Sequence, residues 1–358
     1  VRVNLGPRSY DMAIVSDDAA GFAAFARERA RGHLAFVVCD EHVSEHADRA
    51  ADALTSAGIR PVVAVLPSGE RQKCLSVVSH LYDRLMEIDA DRRTLVVAVG
   101  GGVIGDLAGF VAATYARGLP LLMVPTSLLA MVDSSVGGKV GVNHAQAKNL
   151  IGAFHQPVGV WVDTAVLSTL PDREYQSGLA EVVKYGVILD PELFIFLENH
   201  AEELLRRDPE AVRHVVARSC RLKANIVEQD EREETGLRAI LNYGHTFAHA
   251  FETVAGYGSL LHGEAVAIGM VCASRLAEAH GLIEHATTER QRELLDAFGL
   301  PTRPQPWPID ELLATMRKDK KAQAGKLRFV LPRRLGAVEL FDEVPEIEVR
   351  QVLQFLIP

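Results

Sequence analysis

Three histidines stand in stretches that read as apolar helix. LNYGHTFAHAFE (241–252) holds His245 and His249 four apart, and LLHGEAVAIGM (260–270) adds His262. A lone histidine on an apolar face is usually a satisfied core residue. Three of them, with Glu181 from GLAEVVKYGVI (178–188), are harder to dismiss. Neutral imidazoles with one carboxylate and an open position describe a catalytic zinc site. Spacing alone selects His245 and His249 as ligands, by analogy with HExxH. Thr246 stands where that motif has its glutamate, so the metalloprotease reading fails.

Cationic and amide residues gather in the same stretches. Lys184 follows Glu181 by three, on one helix face with apolar flanks, which predicts an inward-facing pair. LKANIVEQDEREETGLRAILNYGHTFAHAFE (222–252) presents Lys223, Arg238 and Asn242. Asn242, His245 and His249 are expected on one helical face, with Arg238 one turn before. PTSLLAMVDSSVGGKVGVNHAQAKNLIGAFHQP (125–157) reads as a long connection carrying Asp133, Asn143, Lys139 and Lys148 among glycines. Loops of that length in a domain are usually functional, and such side chains suit phosphate or carboxylate oxygens. MRKDKKAQAGKLRFVL (316–331) adds Lys318, Lys320, Lys321 and Lys326, equally readable as solvated surface.

TLVVAVGGGVIGDLAGFVAATYARG (94–118) joins a strand to a helix through Gly100, Gly101, Gly102 and Gly105. The spacing satisfies GxGxxG, which lets backbone approach a pyrophosphate at a helix start. Alone it is weak evidence. The glycine strand is roughly the fourth rather than the first, and no acidic residue closes a strand ~20 residues later. The acidic residue best placed for a ribose is Asp40, at the end of an earlier strand.

The elements that must position these residues fall into two halves. YDMAIV (10–15), LAFVVCD (34–40), PVVAVL (61–66), TLVVAVG (94–100), LPLLMVP (119–125) and VGVWVD (158–163) read as buried strands. Helical stretches such as 43–58 and 74–88 separate several of them. This alternation predicts a mostly parallel sheet covered on both faces, over 1–170. From about 175 to 320 apolar residues recur at three and four, which predicts an all-α domain over 171–358, with a short hairpin near 326–340. At 358 residues, two domains are expected. A net charge of −9 disfavours nucleic acid and anionic membrane surfaces. No apolar run reaches the ~18 residues of a membrane span. The four cysteines are scattered and no signal peptide opens the sequence, so a cytoplasmic protein is expected.

Taken in order, GGGVIGDLAGFVAATYARG, VDSSVGGKVGVNH, KNLIGAFHQP, GLAEVVKYG, GLRAILNYGHTFAHAFE, HGEAVAIGM and DKK resemble the 3-dehydroquinate synthases, through nearly the whole chain. The resemblance implies a Rossmann-like α/β N-terminal domain that binds NAD and a helical C-terminal domain for metal and substrate. It implies zinc, or cobalt or another divalent cation, on Glu181, His245 and His262, and moves His249 from the metal to the substrate. It places NAD against Gly101, Gly102, Gly105 and Asp106, with Asp40, Glu70, Lys73, Thr126, Ser127, Lys148 and Thr169 contributing. It surrounds the substrate with Asp133, Lys139, Asn149, Lys184, Lys223, Arg238, Asn242, His249, Lys320 and Lys321. Arg117 would reach a neighbouring subunit's site, so a homodimer is implied. The family's substrate, 3-deoxy-D-arabino-heptulosonate 7-phosphate, is a sugar acid phosphate. The implied route is oxidation at C5, phosphate elimination, re-reduction, ring opening and an aldol closure to 3-dehydroquinate.

Some positions depart from the family pattern. Val140 stands where threonine is common, HAQAK for HPLGK, and NYGHTFAHAFE for NLGHTFGHAIE. DEREETG carries one extra residue, between Lys223 and Arg238. Three other readings compete: a valiolone- or inosose-type sugar phosphate cyclase, which should lose carboxylate-binding residues; a glycerol-dehydrogenase-like alcohol dehydrogenase, which needs no such cationic set; and a sugar-phosphate binding protein without activity, which should have a broken metal triad.

Overall fold

Every buried run of the first half forms a strand. The computed structural model describes residues 1–145, 147–256, 258–319 and 327–357. The strands of this half are β1 (Arg2–Val3), β2 (Tyr10–Val15), β3 (Leu34–Asp40), β4 (Arg60–Leu66), β5 (Leu95–Gly100), β6 (Leu121–Pro125), β7 (Lys139–His144), β8 (Ala147–Phe154) and β9 (Gly159–Asp163). Its first helices are α1 (Ala19–Arg29), α2 (Ser44–Ser56), α3 (Leu75–Glu87) and α4 (Gly102–Thr114). Seven strands share one sheet in the order β1-β2-β9-β6-β5-β3-β4, parallel except where β1 meets β2.

Burial on both faces explains the unbroken apolar runs. Ala35, Val37 and Cys39 of β3 pack on one face with Phe22 and Ala26 of α1 and Leu54 of α2. Phe36 and Val38, pointing the other way, are fully buried too. Trp161 of β9 closes the first face, its ring 5.6 Å from Phe22 and 5.3 Å from Phe25.

The strand order explains why the glycine strand is not the first. From β3 the chain steps outward to β4, then returns to the other side of β3 as β5. The reversal lies between β3 and β5. In open sheets of this kind, the crevice at the carboxyl ends of the two strands flanking a reversal is the usual ligand site. Asp40 ends β3 and Gly100 ends β5.

The segment 125–157, read from sequence as a long loop, is instead built structure. A π-helical turn (Ala130–Ser134) leads into the antiparallel hairpin β7–β8. Glycines concealed these strands from a pattern-based reading. Gly141 faces Gly152, and a Cβ on either would stand 2.6 Å from a carbonyl oxygen of the other strand. Val140 of β7 packs on Gly109 of α4, where an added Cβ would meet Val140 Cγ1 at 2.3 Å.

The chain divides into two compact units. One holds Val1–Leu170 with Val212–Arg232, the other Pro171–Ala211 with Glu233–Pro358. The second contains α5 (Asp172–Ile188), α6 (Pro191–Asn199) and α7 (Ala201–Leu205). The long α8 (Pro209–Gln229) follows and belongs mostly to the first. Then come α9 (His245–Ala255), α10 (His262–Ala279), α11 (His285–Ala297), α12 (Ile309–Asp319), the hairpin β10 (Leu327–Arg334) and β11 (Ala337–Val344), and α13 (Glu346–Leu356). One expectation changes here. Residues 212–232, placed in the second domain by their helical period, join the first unit through hydrogen bonds. Asn4 N–H reaches Glu228 at 2.9 Å, and Cys220 Sγ reaches the Met131 carbonyl at 3.2 Å. The hairpin foreseen at 326–340 is present as β10–β11 and runs on to Val344. Among the described residues no helix is long and apolar enough to cross a membrane.

Candidate metal centre and cofactor-binding strand ends

Close helix crossings assemble the histidines. Gly263, second in α10, meets α5 at Ser177, where a Cβ would stand 1.9 Å from the Ser177 carbonyl oxygen. Its N–H donates to Ser177 Oγ at 3.0 Å. Ser177 lies one turn before Glu181 on α5. Gly244, at φ +80, precedes α9 and lies against Gly269 and Met270 of α10. A side chain at Gly244 would meet the Met270 backbone nitrogen at 2.8 Å. Two close contacts at glycine thus bring Glu181, His245 and His262 together, with one donor atom from each within 4.8 Å of the others.

Both imidazoles are oriented by their other nitrogen. His245 Nδ1 lies 3.0 Å from the Tyr243 carbonyl oxygen, and His262 Nδ1 lies 3.1 Å from Glu252 Oε1. These acceptors fix the proton on Nδ1 and leave Nε2 with its lone pair. Nε2 of His245 and of His262 then point at Glu181 Oε1 from 3.7 and 3.6 Å. Three lone pairs facing one another need a positive charge among them. Ligands about 2.1 Å from a tetrahedral zinc are about 3.4 Å apart, close to these separations. The donor set therefore fits a divalent cation.

The electrostatics point the same way. Burial, then Lys184, pushes His245 down to about 3, which keeps it in the neutral, ligating form. Burial also disfavours charge on His262, but Glu181 and Glu252 outweigh it and raise this ring to about 10. Two carboxylates around His262 demand a cation, which a proton or a metal ion satisfies. Lys184, 2% exposed, is ion-paired with the other oxygen of Glu181, as the inward-facing reading expects.

His249, one of the two ligands chosen by spacing alone, is not in the triad. Its ring stands edge-on to His245 with centroids 5.7 Å apart. The expected common face of Asn242, His245 and His249 is also corrected. Leu237–Asn242 is a 3-10 turn, and α9 begins afresh at His245 because left-handed Gly244 breaks the chain there. Asn242 is exposed. Arg238 is buried, with Nε 3.3 Å from Glu233 Oε1. Lys320 and Lys321 lie outside the described residues.

Of the predicted residues of the first unit, Asp40, Gly101, Gly102, Thr126 and Ser127 stand at the carboxyl ends of β3, β5 and β6. α4 starts at Gly102 with no side chain capping its N-terminus. Gly100, Gly101, Gly105, Pro125, Ser134 and Ser135 help line a recess there. A Cβ on Gly102 would approach Ser134 Oγ to 3.3 Å, so glycine keeps the helix start open. Bare N–H groups facing a recess fit the pyrophosphate of a dinucleotide. After β6, Thr126 N–H donates to the Gly100 carbonyl at 3.0 Å, and Ser127 Oγ accepts from Ala130 N–H at 3.3 Å. Asp40 spends one carboxylate oxygen on His42 N–H at 2.9 Å. Thr169 Oγ1 lies 3.0 Å from His46 Nε2.

Two ion pairs join residues the sequence had only suggested as neighbours. Lys73 Nζ donates to Asp106 Oδ2 and Asn149 Oδ1, both at 2.5 Å. Burial raises the Asp106 carboxyl against the pull of Lys73. Lys223 Nζ donates to the Asp133 carbonyl at 2.7 Å and lies 2.9 Å from its Oδ1. Lys139 and Lys148 are exposed on β7 and β8. Arg117 is exposed in a turn where Ala116, Arg117 and Gly118 have φ of 48°, 67° and 122°. One residue with an evident role in this geometry escaped the sequence reading: Glu252, seven after His245 on the same face of α9. The i, i+7 spacing could have found Glu252.

Comparison with known proteins agrees over the whole length. A family model described as 3-dehydroquinate synthase N-terminal matches residues 63–177, and one described as 3-dehydroquinate synthase C-terminal matches 178–322. The 3-dehydroquinate synthase of Desulforamulus reducens is 48% identical over 355 residues, covering 99% of each chain. Among solved structures, the 2-epi-5-epi-valiolone synthase of Streptomyces hygroscopicus subsp. jinggangensis 5008, with NAD+ and Zn2+ bound, superposes with a TM-score of 0.89 at 30% identity, covering 97% of this chain and 96% of that one. A 2-deoxy-scyllo-inosose synthase complexed with carbaglucose-6-phosphate, NAD+ and Co2+ gives 0.89 at 27% identity, covering 99% of both. With paired family models in tandem and near-half identity end to end, the chain belongs to the 3-dehydroquinate synthase family.

Proposed function

We propose that the protein converts 3-deoxy-D-arabino-heptulosonate 7-phosphate to 3-dehydroquinate and inorganic phosphate, with NAD and a divalent cation as cofactors. The observation that carries this is the triad of Glu181, His245 and His262, in which each imidazole gives its Nδ1 to an acceptor and turns Nε2 toward one carboxylate oxygen. Zinc held there, or cobalt in its place, supplies a Lewis acid that acidifies a coordinated alcohol. NAD supplies a hydride acceptor and, from the reduced form, the donor that returns it.

The chain's own residues bind and orient. Gly101, Gly102 and Gly105 offer backbone to the pyrophosphate, and Asp40 an acceptor to the ribose. Glu70, Lys73, Asp106, Thr126, Ser127, Lys148 and Thr169 complete the NAD contacts. Lys184 holds Glu181 from the side opposite the histidines. Lys139, Asn149 and His249 answer the phosphate; Lys223 and Arg238 answer the carboxylate. Asp133 orients Lys223, and Asn242 supplies an amide for a hydroxyl. Arg117 acts across a homodimer. Its turn supports that role, since two successive non-glycine residues in left-handed backbone are strained and such strain gathers at functional sites. A cytoplasmic setting belongs to the same reading, supported by four free cysteines.

The test is incubation with the heptulosonate phosphate, NAD and zinc, following phosphate and carbocycle together. Equal release of phosphate and 3-dehydroquinate, with no net NADH, is expected. Turnover of a sugar phosphate lacking the carboxylate, with the heptulosonate refused, would move the protein to a valiolone- or inosose-type activity.

A further inference from the structure

Three residues of the first unit close a ring of hydrogen bonds. Asn143 N–H donates to the Lys73 carbonyl at 2.8 Å. Asn149 N–H donates to Asn143 Oδ1 at 2.9 Å. Lys73 Nζ donates to Asn149 Oδ1 at 2.5 Å. A fourth bond leaves the ring, from Asn143 Nδ2 to Glu70 Oε1 at 2.7 Å. Asn143 is thus the one member that touches Lys73, Asn149 and Glu70 together.

The fold gives that residue leverage. Lys73 and Glu70 precede α3, while Asn149 lies on β8, across the hairpin from β7. A bridge between Cys74 and Asn143 joins the two segments by backbone. Asn149 is held at φ +54, a conformation asparagine tolerates but does not prefer. Its captured N–H keeps it there and so keeps its Oδ1 on Lys73. Lys73 in turn holds Asp106 of α4. An asparagine suits the position because its short amide accepts from one neighbour through Oδ1 and donates to another through Nδ2.

We propose that Asn143 is a positioning residue for the cofactor: it fixes Glu70 directly, and Lys73 through Asn149, in the arrangement that receives NAD. This rests on the functional reading above. Asn143 touches no reacting atom, so its effect passes through its three partners.

The test measures NAD affinity of the full-length protein by titration calorimetry, beside thermal stability. Asn143→Ala is expected to weaken NAD binding about ten-fold, the worth of the lost charged hydrogen bond and its consequences. Asn143→Asp keeps the acceptor for Asn149 but sets a carboxylate against Glu70. Two such groups share a proton more readily as pH falls. The ratio of its Kd to that of the wild type should therefore shrink between about pH 8 and pH 5.5. Weaker NAD binding by a variant that melts at the wild-type temperature excludes a purely structural loss. An Asn143→Ala protein that binds NAD within two-fold of wild type, or an Asn143→Asp ratio that stays flat with pH, overturns the proposal. Wild-type protein that binds no NAD would instead sink the functional reading beneath it.

Discussion

Glu252 Oε1 lies 3.1 Å from His262 Nδ1, one acceptor on α9 reaching a ring on α10. His245 and Glu252 sit seven apart on α9, so one helix face supplies both a candidate ligand and the group that orients the other imidazole. Removing that acceptor frees the ring to rotate and to change tautomer. Glu252→Ala should lower zinc affinity by about 10–100-fold, with Glu252→Gln intermediate because its amide oxygen still accepts. Competition with a chromophoric chelator measures this without any assay of turnover. Equal zinc affinity in all three proteins would remove Glu252 from the centre.

Gly263 is the contact that seats the start of α10 on α5. A methyl there would overlap the Ser177 carbonyl oxygen at 1.9 Å, a backbone atom that cannot turn aside. Gly263→Ala should cost roughly 1–3 kcal/mol or more and displace His262 with it. Urea denaturation and zinc titration should fall together. Unchanged stability would show that the crossing is looser than drawn.

Arg238 is buried beside Glu233, and in the proposed reaction it exchanges that partner for the substrate carboxylate. Arg238→Ala should weaken substrate binding by roughly 2–5 kcal/mol while leaving zinc affinity intact. Inhibition by a carboxylate-bearing product analogue, compared with one lacking the carboxylate, reads this directly. The loss should appear only with the acid.

His155 gives a pH dependence of stability. Burial holds its pKa below the ordinary 6.5, partly offset by the bond from Nε2 to the Leu119 carbonyl at 2.9 Å. The unfolded chain therefore binds the proton first as pH falls. The contribution is intact above about 6.5 and is lost as pH drops from there through the folded value. His155→Gln, which can still donate to Leu119, should flatten the decline of the urea midpoint between about pH 7 and pH 5. Parallel declines in the two proteins would contradict the assignment.

The strands were legible because burial on both faces leaves β3, β5, β6 and β9 almost wholly apolar, in runs shorter than a typical helix. The break between Glu181 and the histidine segments was legible too, since each lies on its own amphipathic run. Three features were not. The β7–β8 hairpin was concealed by Gly141 and Gly152, whose value is close backbone approach rather than strand propensity. The membership of Val212–Arg232 in the first unit depends on side chains such as Cys220 and Lys223 finding partners ninety residues away. Asn242 was placed on the His245 face because periodicity does not register that Gly244 is left-handed. Spacing chose His249 over His262 for a related reason: four residues apart on one helix is visible in sequence, whereas a crossing of two helices at glycine is not.

The most direct measurement is anomalous diffraction at the zinc edge from crystals of the zinc-loaded protein. One peak is expected, about 2.0–2.2 Å from Nε2 of His245, Nε2 of His262 and a carboxylate oxygen of Glu181. A peak elsewhere, or none with zinc bound in solution, would contradict this ligand set.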